Sequence, residues 1–535
     1  MMKKSIFYSC LFGLGALAVS SCGNPMDEIT SIIYGRVFSP TDFEAKNVKE
    51  SSATLVWNAV DGADAYDIQV YEDDSLSFTG TLGENITTDE TTVDLVGLTY
   101  DTQYSVKLTA IDADNESRNS KASTVYFRTS AQQIFNTPAE TDIADRSVIL
   151  SWKSGEKDVT RIDILNEAGA VVATHAITAE EKEAFKATVD GLSPETKYTA
   201  KLYYVANSVQ KERGSKSFTT IVDLNGAIVL RPTDDIQSAI NNANDGDVFA
   251  LYGGTYVVKS TSSDESVTAG SISVSKSITI KGIFPTNVPT INGRFEINDG
   301  ATLEINQVNL DGKGTSGDQC FNVKGTNVGG ISINNAEIKN YSKGVHYVNV
   351  AAKIPYIKYI NCLIHDITCD GGDMFDCRKG CIDDLTLSKS TIYNSCAARD
   401  FIRFDDASSS FSGATPVVNV DQCTINAAAN ASGKRLLYVR FAGNTINWTN
   451  NIVTNTVAVW SNQSKTSVPN FGNNNVYYGC TKLNVLDGND AGKTNLFIDE
   501  SRTEADPQYK SASSGDFTVG NESVSKLKAG DPRWY

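Results

Sequence analysis

Histidine is scarce in this sequence of 535 residues: there are three, His175, His346 and His365. Zinc sites and histidine bases that depend on a cluster are therefore disfavoured by count alone, and any chemistry falls to Asp, Lys, Arg or Tyr. Proline is also sparse, 12 residues against 40 glycines, so neither a collagen-like nor a low-complexity chain is encoded. Positive charge is in deficit, with 47 Lys plus Arg against 64 Asp plus Glu and a net charge of −17. A phosphate-backbone binder needs a basic face, so this balance argues against nucleic acid as a partner. What is present, 40% hydrophobic and 21% charged residues, is the composition of folded protein. At about 150 residues per domain the length allows three or four domains.

The chain starts with Met1-Met2-Lys3-Lys4 and an apolar stretch over residues 6–19, too short to span a bilayer comfortably and suited to a signal peptide. The stretch ends in Val19-Ser20-Ser21-Cys22, which resembles a bacterial lipobox. That resemblance implies a leader over 1–21 and a lipidated Cys22, whose acyl chains, at about 0.8 kcal/mol per buried methylene, tether the protein to a membrane. Asp27-Glu28, in the linker 22–36, resembles the acidic export tag of Bacteroidota-type surface lipoproteins and implies an outer-membrane anchor facing the cell exterior.

The next region repeats. Leu55-Val56-Trp57 recurs as Leu150-Ser151-Trp152, Gly97-Leu98 with Tyr104 as Gly191-Leu192 with Tyr198, and Phe127 as Phe218, at offsets of 95, 94, 94 and 91. Between these anchors apolar and polar residues alternate, the period of half-buried strands. Two β-sandwiches are predicted, over 37–130 and 131–221. The early Trp and the late Gly-Leu-x-x-x-Thr-x-Tyr make both resemble fibronectin type III modules, which act mostly as spacers. Residues 1–221 hold 20 basic and 32 acidic residues; the remainder holds 27 and 32, a net of −5 that leaves it open to an anion.

A second repeat follows. Segments starting at Leu303, Ile331, Ile357, Leu385, Val418 and Ile446, spaced by 28, 26, 28, 33 and 28, share apolar first, third and eighth positions. The third positions are Ile305, Ile333, Tyr359, Leu387, Val420 and Trp448; the eighth are Leu310, Ile338, Ile364, Ile392, Ile425 and Val453. Strand-period units that cannot bury their own apolar face predict a right-handed parallel β-helix over 222–500. Asn340, Asp366, Asn394 and Asn455 at the tenth position suggest a side-chain ladder along one corner. The fold class is therefore all-β: two sandwiches followed by a single-stranded parallel β-helix.

Asp235-Ile236-Gln237-Ser238-Ala239-Ile240, then Asp245-Gly246-Asp247 and Gly253-Gly254-Thr255-Tyr256, resemble the capped opening of pectate-lyase-like (pectin-lyase-like) helices. The finishing segment 501–535, with Ala505-Asp506-Pro507 and Asp531-Pro532-Arg533-Trp534, resembles the tail of Bacteroidota surface lipoproteins that join fibronectin modules to such a helix. That resemblance implies a place beside outer-membrane glycan importer proteins. Eight cysteines lie between 320 and 480. Cys362 and Cys423 fall on inward positions, where free Cys packs as a small hydrophobe. Cys377 and Cys381 have no companion pair at zinc spacing and read as core or disulfide.

Rungs stacked about 4.8 Å apart can track a polymer. With Phe321/Val323, Val345/Tyr347, Phe375/Cys377, Ile402/Phe404 and Leu437/Val439 taken inward, alternation places Asn322, His346, Asp376, Arg403 and Tyr438 on one outward row. Lys324, Arg378, Asp405 and Arg440 stand one step further. This row, with Arg399 beside it, is the candidate groove for an acidic polysaccharide; salt bridges between rungs would be its structural explanation. Gly372-Asp373-Met374-Phe375-Asp376-Cys377-Arg378-Lys379, followed by Phe401-Ile402-Arg403-Phe404, is similar in layout to the chondroitinase B and alginate lyase family. The likeness implies a polysaccharide lyase with calcium on Asp373 and Asp376, Lys379 as base, Arg378 competing for that role, and Arg403 assisting the leaving oxygen. The family's Glu ligands are Asp here, and its His-Gly after the Arg is Phe404-Asp405. A glycoside hydrolase using Asp383-Asp384 or Asp405-Asp406 ranks third, without the Gly-His-Gly and Arg-Ile-Lys signatures of polygalacturonases. Capture of a pectin-like polymer without catalysis, by Tyr438, Arg440, Arg403 and His346, ranks first.

Overall fold

A computed structural model describes residues 35–72, 76–206, 209–486 and 495–535. The lipobox with Cys22 lies outside the described residues. No described helix is long and apolar enough to cross a membrane. Two compact units divide the chain: residues up to 135 with 156–162 and 201–215, and the remainder.

In the first unit an antiparallel sandwich is built from two sheets. One is ordered Glu44–Lys46, Ser52–Val56, Thr92–Val96; the other Ile86–Thr88, Ala65–Glu72, Gln103–Ile111, Ser123–Arg128. The alternation seen in the sequence buries Tyr66, Ile68 and Val70 against Trp57, Tyr104, Val106 and Leu108. Tyr104 stacks on Phe127 at 5.6 Å, and its hydroxyl accepts a hydrogen bond from the Thr99 amide at 2.8 Å. This is the tyrosine corner of immunoglobulin-like sandwiches. The same corner recurs in the second unit. The Tyr198 hydroxyl accepts from the Ser193 amide at 3.1 Å, Tyr198 lies 5.8 Å from Phe218, and Trp152 is buried.

The rest of the second unit is a parallel β-helix with three sheets. The first contains ten strands, from Ile228–Leu230 to Asn470–Phe471; the second ten, from Thr255–Val257 to Thr503–Glu504; the third seven, from Ser271–Val274 to Leu437–Val439. The repeat read from the sequence is its register. Leu303, Ile331, Ile357, Leu385, Val418 and Ile446 pair in succession on the first sheet, as do the six third positions. Leu310, Ile338, Ile364, Ile392, Ile425 and Val453 do so on the second. Almost all are fully buried, and Trp448 meets Trp460 edge to face at 5.1 Å inside the helix.

Corners demand left-handed backbone, which Asn and Asp tolerate better than most residues. Asn340, Asp366, Asn394 and Asn455 have φ of 63°, 55°, 46° and 59°. Their side chains form the expected ladder in pieces: Asn340 donates to Asp311 at 2.8 Å, Asn394 to Asp366, and Asn455 to Asn426 at 2.9 Å. The open N-terminal rung is covered by the helix Ile236–Asn241, capped by Asp235, which accepts from the Ser238 amide at 3.0 Å. Residues near the C-terminus lie along the second sheet. Thr391 Oγ1 donates to Asp531 at 2.7 Å and accepts from Trp534 Nε1 at 2.7 Å, and Arg533 reaches Asn361 at 2.8 Å.

Candidate functional site

The third sheet carries the candidate row. Its strands pair so that Glu296, Asn322, Tyr347, Asp376, Arg403 and Tyr438 follow one another on the outer face. Five of these rungs share one local pattern, two consecutive inward residues, one outward and one inward: Cys320-Phe321-Asn322-Val323, Val345-His346-Tyr347-Val348, Met374-Phe375-Asp376-Cys377, Phe401-Ile402-Arg403-Phe404 and Leu436-Leu437-Tyr438-Val439. The double inward residue comes from the corner just before each strand, and it shifts the phase of alternation by one.

The sequence expectation for one rung is corrected by this register. His346, expected outward, is fully buried, and Tyr347 takes its place on the row. The imidazole stacks on Tyr359 at 6.0 Å with the rings 8° apart, Nδ1 meets the Tyr359 hydroxyl at 3.1 Å, and Phe375 lies 5.6 Å away. Burial lowers its pKa to about 3, so it sits in the core as a neutral aromatic ring and does not face a ligand.

Asp373, Asp376, Arg378 and Arg403 converge. Asp376 is fully buried and Asp373 nearly so. Arg378 grips Asp376 in a fork, Nε to the two carboxylate oxygens at 3.1 and 3.0 Å and Nη2 to Oδ2 at 2.8 Å. Arg403 spans to Asp373 with Nη1 at 3.0 Å and to Asp405 with Nη2 at 2.9 Å. Sequence reasoning missed a second brace: Arg435 holds Asp400 with Nη2 at 2.6 Å, and the Asp400 amide donates to Asp373 at 3.1 Å. Desolvation raises the Asp376 carboxyl above its ordinary value, against the pull of Arg378. For Arg403, burial opposes the charge, but the hydrogen bonds to Asp405 and Asp373 outweigh it and raise the pKa.

Two tyrosines face these guanidinium groups. Arg378 lies 5.4 Å from the Tyr347 ring; Arg403, Arg435 and Arg440 lie 5.1, 4.3 and 5.6 Å from the Tyr438 ring. Arg440 Nη1 donates to the Tyr438 hydroxyl at 2.9 Å, while Asp405 and Asp406 act on Arg440 from further away. Lys379 is exposed, and Asn322 and Arg399 are half-buried. The other candidate carboxylates are also paired: Asp383 with Lys353 at 3.5 Å, Asp384 with Lys358 at 3.0 Å, and Asp406 with Lys465.

The calcium expectation can be tested on this donor set. Calcium takes about six to eight oxygen ligands. Asp373 and Asp376 are already bonded to Arg403 and Arg378, so a dication between them would face two guanidinium charges. Among the described residues no group of three or more His, Cys, Asp or Glu is arranged to hold a metal ion. The donor set does not fit calcium, and no step is derived through it. The eight described cysteines are free and buried, Cys362 and Cys423 at the inward positions expected of them.

Three family models match parts of the chain. The fibronectin type III domain family matches residues 38–126, a domain of unknown function (DUF4957) matches 254–395, and another (DUF5123) matches 418–534. Among curated proteins, chicken (Gallus gallus) tenascin is 22% identical over 227 residues, 42% of this chain and 12% of its own length. Receptor-type tyrosine-protein phosphatase eta, also from Gallus gallus, is 28% identical over 213 residues, 38% of this chain and 14% of its own length. The chain thus spans about an eighth of the length of these relatives. A solved two-domain fibronectin type III segment of chicken tenascin is 21% identical, covering 34% of this chain and 99% of the segment, with a TM-score of 0.24. The fn3 domain of human collagen alpha-1(XX) chain is 18% identical over 21% of this chain and 98% of that domain, with a TM-score of 0.17.

Proposed function

We propose that the β-helix captures an acidic polysaccharide, pectin-like by the family resemblance, on the outer face of its third sheet, and that the chain is a lipid-anchored surface protein acting beside a glycan importer. The observation that carries this reading is the Tyr438 platform. Its half-buried ring gathers three guanidinium groups, and Arg440 is bonded to the ring hydroxyl with no carboxylate among the described residues clasping its fork. A planar ring that can stack on a sugar face, beside a cationic fork that can bind a uronate carboxylate, is a sufficient pair for capture. Catalysis by β-elimination finds less support, because the forks of Arg378 and Arg403 are spent on aspartates.

Affinity electrophoresis in gels containing polygalacturonate, alginate, chondroitin or a neutral glucan tests the reading. Retardation is expected in an acidic gel, undiminished by a calcium chelator. Tyr438→Ala and Arg440→Ala should each weaken it by about five- to 100-fold, the equivalent of about 1–3 kcal/mol. Equal retardation by the neutral glucan, or variants indistinguishable from the parent, would overturn it.

A further inference from the structure

We propose that Cys369 and Cys396 are the two halves of a disulfide that ties adjacent turns of the β-helix together beside the candidate site. Both residues occupy the corner between the second and third sheets, on consecutive turns. Before the corner His365 pairs with Tyr393; after it Phe375 pairs with Ile402. Both have left-handed backbone, φ 55° and 54°, both lie in the same buried cluster, and Cys369 acts on the Cys396 thiol to raise its pKa. Neighbouring turns of a parallel sheet are about 4.8 Å apart, inside the window of about 4.4–6.8 Å between Cα atoms that a disulfide requires. Cys362 and Cys423 do not meet this condition. Ser390 stands between their turns, its hydroxyl accepting from the Cys362 amide at 2.9 Å and its carbonyl from the Thr424 amide.

Cys369 and Cys396 are free in the structure and at most 2% exposed, so oxidation belongs to folding, before the corner closes. The oxidant is a small or protein disulfide. One cysteine thiolate attacks a sulfur of that disulfide and expels a thiolate; the second attacks the resulting mixed disulfide and expels the other. The oxidant leaves as two thiols, carrying the two electrons and two protons that the cysteines lose. The link would fix the turn that carries Arg399 and Asp400, whose carbonyls now accept the Cys396 thiol at 3.5 and 3.3 Å, to the turn leading into Asp373.

The test refolds the full chain from its reduced, denatured form in a glutathione/glutathione-disulfide buffer, then blocks thiols under denaturing, non-reducing conditions and maps peptides by mass spectrometry. A linked peptide joining Cys369 to Cys396, with the remaining described cysteines alkylated, is the expected result. Cys369→Ser should then leave Cys396 alkylated. The refolded parent should also resist proteolysis at residues 366–400 more than the same protein refolded in reductant. The parent map stands alone should the variant fail to fold. Alkylation of both residues in the refolded parent, or a link joining either to another cysteine, would overturn the proposal.

Discussion

Replacing Arg378 by leucine tests how firmly the charged row is held. The change leaves an aliphatic side chain but removes the fork from Asp376, which is fully buried. A carboxylate stranded in that position escapes by taking a proton. At pH 7, roughly three units above the ordinary Asp value, this costs about 4 kcal/mol, a ceiling on the loss. Arg403 Nε remains 4.0 Å from Asp376 and recovers part of it, so about 2–4 kcal/mol is expected. Hydrogen exchange resolves this locally: amides of Phe375–Cys377 and Ile402–Phe404 should exchange about 30- to 700-fold faster than in the parent. The sign of the pH dependence follows from linkage. The Asp376 carboxyl is already raised in the folded protein, and losing Arg378 raises it further. Through that window the native state holds a proton that the unfolded chain has released, so stability falls as pH rises and the damage shrinks as pH is lowered. After correction for the intrinsic pH dependence of exchange, a loss below about 1 kcal/mol that stays flat between about pH 5 and 7 would refute the reasoning.

Tyr104→Phe should cost the first sandwich about 1 kcal/mol in urea unfolding, since it removes one buried hydrogen bond to the Thr99 amide and little packing. Gly344→Ala should lower the thermal midpoint through a loss of about 2–3 kcal/mol, because φ is 139° and the new Cβ would lie 2.3 Å from the Asp373 carbonyl oxygen. His365 lies between Glu337, at 2.9 Å, and Asp366, at 2.8 Å, and stacks on Tyr393. Burial opposes its charge, but the two carboxylates prevail and raise its pKa, so imidazole NMR should show it titrating above the ordinary value near 6.5. The stability it contributes is complete below the unfolded pKa and lost as pH rises through the folded one. Glu337, lowered to about 2 chiefly by its hydrogen bond to His365, contributes above the ordinary carboxylate pKa and ceases to as pH falls toward 2.

The first and second sheets were legible because their apolar positions recur without interruption and nothing else in the sequence competes with that period. The third sheet was harder. In Val345-His346-Tyr347-Val348 either Val345/Tyr347 or His346/Val348 satisfies simple alternation, and the polarity of histidine favoured the wrong choice. The signal that decides is the doubled inward pair. Met374-Phe375, Phe401-Ile402 and Leu436-Leu437 all show it, and aligning Val345-His346 with them turns Tyr347 outward. The Asp400–Arg435 brace had no local signature, since its partners lie 35 residues apart and meet only through the stacking of turns.

Salt bridges between rungs and a ligand surface are competing explanations of the row, and under the proposed function they belong to different stretches of it. On the first sheet the outward positions Asn419, Asn447 and Asn470 satisfy one another through amide bonds of 2.7 and 2.8 Å. The third sheet uses aspartate and arginine instead, and its central forks are consumed: Arg378 by Asp376, Arg403 by Asp373 and Asp405, Arg435 by Asp400. Leu437–Val439 is the last strand of that sheet. A guanidinium just beyond it, on Arg440, retains its hydrogen-bonding capacity while its tyrosine neighbour supplies a flat apolar face. On the proposed function the middle of the row serves stability and its end recognition, so substitutions at Arg378 and Arg440 should separate folding from binding.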